Sequence, residues 1–263
     1  MTGRNLKLLL AYDGTAYAGW QRQKGAPTVQ GEVEEKLAVM TGQPVTLHGA
    51  GRTDAGVHAL GMVANFHTGS TIPTDGLRRG LNSMLADDIR VLAVEEVAPD
   101  FHARFSATGK AYCYRLTFEE IVLPSERLYL ARFPGPGDFD RMAACMPYLL
   151  GEHDFASFEA TGSRDLEQEG GRGAVRRIDS AAILRDQQNG LRGQFIIAGN
   201  GFLRHMVRNI AGTLVEVGQG RRTPEEFGRL LAARDRTQAG PTAPAQGLFL
   251  REVFYEGHPR VSG

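Results

Sequence analysis

Residues 48–59 combine ionisable side chains with glycines in a way that suits catalysis. His48, Arg52, Asp54 and His58 lie among three glycines in this stretch, between two candidate strands. Glycine lets the backbone approach a substrate closely, and a carboxylate on such a loop points into a cleft rather than into a core. A nearby arginine keeps a carboxylate ionised, which is the state that a nucleophile requires. The pattern therefore favours nucleophilic catalysis by Asp54.

Three other interpretations of the same stretch stay open. A dinucleotide-binding loop would have a third glycine where Asp54 stands, and the carboxylate would repel the pyrophosphate. A metal-dependent hydrolase would use His48, Asp54 and His58, with His67 nearby, but this spacing matches no ordinary zinc pattern. A plain tight turn capped by Asp54 would not need Arg52 beside it.

Hydrophobic spacing predicts the elements that position this loop. In the first half, strand and helix patterns follow the order β-α-β-β-α-β, which is typical of two helices packed on one face of an antiparallel sheet. The strands are predicted at 5–13, 45–51, 62–67 and 89–97, and the helices at 28–40, with Thr28 as N-cap, and from Thr74, with Leu77, Leu81 and Leu85 on one face.

The second half shows a similar organisation without matching residues. Strands are predicted at 111–118, 177–185, 191–198 and 248–255, and helices at 139–150, 203–217 and 224–233. Residues 160–173 are rich in glycine and charge and are predicted to form a mobile loop. The sequence therefore predicts an α+β protein with two similar halves, residues 1–105 and 106–263.

The predicted helix 203–217 carries arginines at the border of its apolar face. At about 100° per residue, Arg204 and Arg208 fall at the edge of the apolar arc, and His205 and Asn209 fall on the opposite side. The two arginines are predicted to border the core without entering it, and His205 and Asn209 to meet phosphate or solvent. The arc itself is formed by Leu203, Met206, Val207, Ile210, Leu214 and Val217.

The charge balance argues at first against a nucleic-acid partner. The chain of 263 residues has 30 basic and 30 acidic side chains, whereas nucleic-acid-binding proteins usually carry a basic excess. Only four of the basic residues are lysine, so 26 are arginine, the side chain suited to bidentate phosphate contact. Two cysteines are too few for a disulfide framework, and no secretory signal or long apolar segment stands out. We therefore expect a cytoplasmic protein without a membrane partner.

Several motifs, taken together, resemble one known family. Residues 51–59, Gly-Arg-Thr-Asp-Ala-Gly-Val-His-Ala, are similar to the active-site motif of the tRNA pseudouridine synthase A family. Other blocks resemble the same family in the same order, at residues 12–23, 101–107, 110–114, 201–210 and 243–250. The segment 160–173 is longer and more acidic than the family pattern.

The resemblance implies a reaction and a fold. It implies isomerisation of uridine to pseudouridine at positions 38, 39 and 40 of the tRNA anticodon stem-loop, by a homodimer that needs no cofactor and no metal. Asp54 corresponds to the catalytic aspartate. The resemblance leaves open whether this residue attacks C1′, attacks the base or takes a proton from C2′. The implied fold has two ferredoxin-like halves, their largely antiparallel sheets joined into one extended sheet, with helices on one face and the active site in a cleft between the halves.

The resemblance also implies roles for other residues. Arg52 would fill the space left by the base when it flips out of the stem. Tyr112 would stack on the target uracil and take part in moving the C5 proton, although Tyr114 has the same strand parity. Arg208 would pair with Asp54, and Leu248 would form the apolar wall of the uracil pocket. We also expect RNA contacts from Arg104, Lys110, Arg204, His205 and His58.

A neutral chain can bind RNA if its arginines are concentrated on one surface. We therefore predict that Arg52, Arg104, Lys110, Arg204 and Arg208 lie on one side of the molecule. The principal alternative is a non-catalytic tRNA-binding protein, which would tolerate replacement of Asp54 by asparagine.

Overall fold

The structure is a computed structural model that describes residues 3–162 and 173–256. Most of the predicted loop 160–173 lies outside the described residues. In the described part the strands are β1 (Arg4–Tyr12), β2 (His48–Gly49), β3 (His58–Thr68), β4 (Ile89–Val97), β5 (Ala107–Thr117), β6 (Ala131–Arg132), β7 (Gly151–Asp154), β8 (Val175–Arg185), β9 (Arg192–Gly199) and β10 (Leu248–Tyr255). The helices are α1 (Val29–Thr41), α2 (Thr74–Met84), α3 (Phe139–Ala143), α4 (Met146–Leu149), α5 (Met206–Gly218) and α6 (Pro224–Ala233).

The protein is a mixed α+β chain that divides into two compact units. Unit 1 consists of residues 3–110 and 249–256, and unit 2 of residues 111–248. In unit 1 the elements before residue 105 follow the predicted order β-α-β-β-α-β, and β10 is added from the end of the chain. Strand β1 is central and pairs antiparallel with β3 and with β4, while β2 pairs antiparallel and β10 parallel with β3. In unit 2 the strand order is β5-β9-β8-β7, and β6 pairs with β5.

Unit 1 is built on the alternating leucines of its first strand. Leu6, Leu8 and Leu10 are fully buried on one face of β1, and each contributes about 1.5–3 kcal/mol through burial of its side chain. Helix α1 begins where predicted, because the Thr28 side chain accepts a hydrogen bond from the Gly31 amide and caps the first turn. Strand β4 also has its predicted bounds.

Unit 2 differs from the prediction in its helices. The helix predicted at 203–217 begins only at Met206, because His205 has a left-handed φ of 62° that interrupts helical geometry. Arg204 therefore precedes the helix rather than lying on it. The single helix predicted at 139–150 is two short helices, α3 and α4, separated at Ala144 and Cys145.

Asn209 corrects the prediction for the far side of the same helix. Its side chain is fully buried and donates a hydrogen bond to the Phe158 carbonyl at 2.8 Å. Its amide oxygen accepts from Thr242 Oγ1 at 2.6 Å and from Arg236 Nη2 at 3.2 Å. Helical periodicity predicts that Asn209 faces solvent, but this holds only where that side of α5 is uncovered. The chain around Phe158 and Thr242 covers that side, so Asn209 is buried.

In the described part of the chain, no helix has both the length and the apolar character needed to span a membrane.

Candidate active site

Asp54 lies on the loop that connects β2 with β3 in unit 1. The carbonyl of Asp54 accepts a hydrogen bond from the Val57 amide at 3.1 Å, which closes a turn immediately after the carboxylate. Asp54 is half-buried and Arg52 is exposed, whereas Thr53 between them is only 7% exposed. The hydroxyls of Thr53 and Tyr12 share a hydrogen bond of 2.8 Å. The loop is thus anchored at Thr53, with an ionisable residue on each side of the anchor.

The segment 12–23 forms the support beneath this loop. The Trp20 amide donates to the Thr53 carbonyl at 3.1 Å, and Trp20 is 2% exposed. Gly19 has a φ of +100°, and a Cβ at this position would lie 2.4 Å from the Thr53 oxygen. Only glycine permits this close backbone approach. Tyr12, Gly19 and Trp20 are therefore positioning residues, which residue type and spacing did not predict although all three lie in the motif block 12–23.

Lys110 lies against the same loop. A Cβ on Gly51 would come within 2.7 Å of the Lys110 ammonium nitrogen, so the lysine passes over the backbone where Gly51 leaves room for it. Burial, together with the smaller effect of the nearby Arg104 charge, lowers the pKa of Lys110 to about 8. Lys110 thus titrates close to physiological pH and remains mostly charged at pH 7.

His58 lies in the core of unit 1 and not at its surface. The side chain is 1% exposed, its Nδ1 accepts the Gly14 amide hydrogen at 3.1 Å, and its ring stacks on Phe249 at 4.6 Å between centroids. The predicted RNA contact of His58 is wrong, because burial leaves it no surface to offer. Among residues 3–162 and 173–256, no cluster of three or more His, Cys, Asp or Glu side chains is arranged to hold a metal ion.

The geometry of unit 2 separates two tyrosines that the strand pattern could not distinguish. Tyr114 is fully buried and donates its hydroxyl hydrogen to the Pro244 carbonyl at 2.9 Å. Burial raises the pKa of Tyr114, so its hydroxyl stays neutral. Tyr112 is 8% exposed and meets Phe202 edge to face, at 5.0 Å between ring centroids. Tyr114 has a structural role, which leaves Tyr112 as the candidate for a substrate contact.

Arg208 is oriented by the chain that leads to the last strand. Its Nε donates to the Ala243 carbonyl at 2.8 Å, and the Ala243 amide donates to the Arg208 carbonyl at 3.1 Å. Leu248 begins β10 and is 6% exposed. These contacts hold the guanidinium of Arg208 in one direction, which a group that pairs with a defined carboxylate requires.

Arg204 and His205 border an open pocket of about 480 Å³ on unit 2. Arg204 is exposed, and its carbonyl accepts the Ala160 amide hydrogen at 2.9 Å. The pocket is also lined by Arg236, Thr237, Thr242, Ala160 and Thr161. Three basic side chains and several hydroxyls make this pocket suitable for an anion.

Within each unit, then, the structure groups several of the predicted site residues. Unit 1 holds Arg52, Asp54, Arg104 and Lys110, and unit 2 holds Tyr112, Arg204, His205, Arg208 and Leu248.

Comparison with known proteins agrees with these motifs. A family model described as tRNA pseudouridine synthase matches residues 9–106 and 145–256. A protein of Desulfotalea psychrophila named tRNA pseudouridine synthase A 1 is 50% identical over 96% of this chain and 100% of its own length. Proteins named tRNA pseudouridine synthase A from Citrifermentans bemidjiense and Lacticaseibacillus casei are 45% and 44% identical, over 96% and 95% of this chain and 98% of each relative. This chain therefore belongs to the tRNA pseudouridine synthase family.

Proposed function

We propose that this protein isomerises uridine to pseudouridine at positions 38, 39 and 40 of the tRNA anticodon stem-loop, with Asp54 as the catalytic nucleophile. The observation that carries the proposal is the anchored loop, in which Thr53 is held by Tyr12 and Trp20 and is followed directly by the half-buried Asp54. Such anchoring lowers the entropic cost of reaching the transition state, because the reacting group is held in place before the substrate arrives.

The reaction breaks the C1′–N1 glycosidic bond, turns the uracil and joins C1′ to C5. The hydrogen on C5 leaves as a proton, and N1 takes up a proton from solvent. A carboxylate must be ionised when it attacks as a nucleophile, and Arg208 is proposed to pair with Asp54 for that purpose. Tyr112 is proposed to stack on the uracil, Leu248 to form the apolar wall of its pocket, and Arg52 to fill the gap left by the flipped base. His58 enters this scheme only as a positioning residue.

We also propose a domain architecture, an oligomeric state and a cellular location for the enzyme. The β-α-β-β-α-β order and the antiparallel pairing of β1 with β3 and β4 support a ferredoxin-like first half. We place the functional halves at 1–105 and 106–263 in a cytoplasmic homodimer without metal or cofactor. The compact units of the structure have a different boundary, since β10 pairs with β3.

Release of tritium from tRNA that carries 5-³H-uridine tests the proposal directly. Joining C1′ to C5 ejects that hydrogen, so the wild-type protein is expected to release it, and Asp54→Asn and Asp54→Ala are expected to release none. Asp87→Asn is the matched control, because Asp87 is a fully exposed carboxylate of the same unit. Undiminished release by the Asp54 variants would overturn the assignment of Asp54.

The same variants separate an enzyme from a pure tRNA-binding protein. A binding protein should bind tRNA as well, or slightly better, after Asp54→Asn, and the wild type should release no tritium. A metal-dependent hydrolase would instead lose its activity in excess chelator.

A further inference from the structure

A turn in unit 1, at residues 101–106, exposes a phenylalanine next to other rings. Phe105 is 77% exposed, which by itself is unremarkable for one surface residue. Its surroundings are unusual, however. The Phe105 ring centroid lies 4.4 Å from that of His102, which in turn lies 5.0 Å from that of His48. The guanidinium carbon of Arg104 lies 5.7 Å from the Phe105 ring centroid. We call these four side chains the ring row.

The turn that carries the ring row is held in one conformation by hydrogen bonds. The His102 amide donates to Ser106 Oγ at 3.1 Å, and the Ser106 amide donates to the His102 carbonyl at 2.9 Å. The Ala103 amide donates to the side-chain oxygen of the fully buried Asn65 at 2.9 Å, and Tyr255 Oη donates to the Ala103 carbonyl at 2.7 Å. Phe105 is therefore presented by a rigid support, which lowers the entropic cost of binding a partner.

The electrostatics of the ring row suit an anionic partner with a flat ring. Burial lowers the pKa of His102, and the basic side chains of His48, Arg104 and His67 nearby lower it as well. The Arg104 amide donates to His102 Nδ1 at 3.1 Å, which requires an unprotonated nitrogen there. His102 is thus a neutral ring at pH 7 beside the cationic side chain of Arg104.

We propose that Phe105, backed by His102 and His48 and flanked by Arg104, is a stacking platform for an unpaired nucleobase of the tRNA substrate. Unpaired RNA bases are recognised by stacking on aromatic rings and guanidinium planes, with the phosphates drawn to nearby cations. This inference rests on the proposed function, because it takes RNA as the ligand.

The location of the ring row supports this occupant. His48 belongs to β2, the strand that leads directly into the loop of Asp54, and Lys110 lies over Gly51 of that loop. A base held on Phe105 would therefore belong to a nucleotide near the target uridine. A second copy of the chain is a less suitable occupant, since a two-fold interface would bring the same positive surfaces face to face.

Binding measurements on an inactive background test the platform. In the Asp54→Asn variant, adding Phe105→Ala is expected to weaken binding of an anticodon stem-loop RNA by about 5- to 150-fold, the range of one base–aromatic stack. Phe105→Trp is expected to keep the affinity within about threefold, because it retains an aromatic face. Ile121→Ala is the matched control, since Ile121 is 76% exposed and lies in unit 2.

An abasic scan of the RNA identifies the stacked base. Each loop nucleotide in turn is replaced by an abasic residue, and the effect of Phe105→Ala is measured on each RNA. At one nucleotide the loss of affinity caused by Phe105→Ala should nearly vanish, because that RNA already lacks the base that Phe105 contacts. An equal loss on every abasic RNA would overturn the platform, as would dissociation of a dimer by Phe105→Ala in sedimentation.

Failure of the platform and failure of the proposed function give different results. If the wild type releases tritium but the scan finds no coupled nucleotide, the platform is wrong and the isomerase stands. If coupling is found but the wild type releases no tritium, the platform stands on a protein that binds RNA without isomerising it.

Discussion

Among single residues, Lys110 is one whose titration the fold moves close to physiological pH. Its pKa of about 8 lies well below the ordinary value for lysine, because burial disfavours the ammonium ion. A lowered pKa means that the side chain loses its proton, and with it its charge, as pH rises through 8. The tyrosines with raised pKa, Tyr17, Tyr114 and Tyr255, stay neutral over the same range.

We predict that tRNA affinity declines as pH rises from 7 to 9. The expected decline is roughly fivefold, the equivalent of about 1 kcal/mol for one lost cation–phosphate contact. Titration of stem-loop RNA into the Asp54→Asn protein at several pH values measures it. In Lys110→Arg the decline should disappear, because arginine stays charged. The same decline in Lys110→Arg would assign the effect to another group.

Arg208 and Arg204 are predicted to differ in what they contribute. Arg208→Ala should lower the single-turnover rate by roughly 100-fold or more, with a much smaller effect on tRNA affinity, because it removes the charge proposed to stabilise the Asp54 carboxylate. Arg204→Ala should instead weaken binding while single-turnover rates at saturating RNA change little, since Arg204 is exposed ahead of α5. Equal losses of rate and affinity in Arg208→Ala would make it a simple phosphate contact.

At the scale of the element, the loop between β2 and β3 depends on the segment beneath it. Gly19 supplies both a left-handed backbone and the space for Thr53, whose oxygen a Cβ would approach to 2.4 Å. Gly25 also has a positive φ, of +78°, but a Cβ there would meet nothing within 4 Å. Replacement of Gly25 by alanine would therefore add backbone strain alone, whereas replacement of Gly19 would add both strain and a steric clash.

We predict that Gly19→Ala lowers the free energy of unfolding by about 2–4 kcal/mol, the sum of left-handed strain and overpacking. Gly25→Ala should cost only about 1–2 kcal/mol, since it adds strain alone. Urea denaturation monitored by fluorescence measures both. Gly19→Ala should also slow tritium release at temperatures where the protein is folded, whereas Gly25→Ala should not. Equal effects of the two variants on the rate of tritium release would contradict the role of Gly19 in supporting the Asp54 loop.

At the scale of the whole molecule, a formally neutral protein is proposed to bind a polyanion. Many of its charges are paired locally, as in the ion pairs of Arg4 with Glu96 and of Arg192 with Glu119, at 2.9 and 2.7 Å. Such pairs cancel each other in the total and contribute little to long-range attraction. Net charge therefore says less about an RNA partner than the placement of the remaining arginines.

We predict that tRNA binding weakens steeply with salt in spite of this neutrality. Arg52→Ala, Arg104→Ala and Arg204→Ala should each reduce the slope of log affinity against log salt by about one unit or slightly less, as expected for one lost phosphate contact. Arg79→Ala is the control, because Arg79 is exposed on α2 and paired with Asp75. Unchanged slopes in all three variants would mean that the arginines do not share one RNA-binding surface.

Local sequence patterns determined much of this protein. They predicted the element order of unit 1, the cap at Thr28, the bounds of β4, α6 and β10, and the loop that carries Asp54. Each of these depends on residues close together in the chain, through alternation, helical spacing or a side chain that bonds a nearby amide. The motif blocks, in their order, were also enough to indicate the family.

Only the tertiary structure decided which of these residues are buried and what they touch. His58 and Asn209 are polar by type, yet both are buried and hydrogen-bonded to residues distant in the chain, Gly14 and Phe158. The separation of Tyr112 from Tyr114 and the pKa of Lys110 arise in the same way. Burial and electrostatic environment are set by elements that the sequence places far apart, whereas strand and helix periodicity is set by neighbours. The chain by itself therefore indicated the family and the chemistry proposed for Asp54, and the fold determined which side chains pack against its loop.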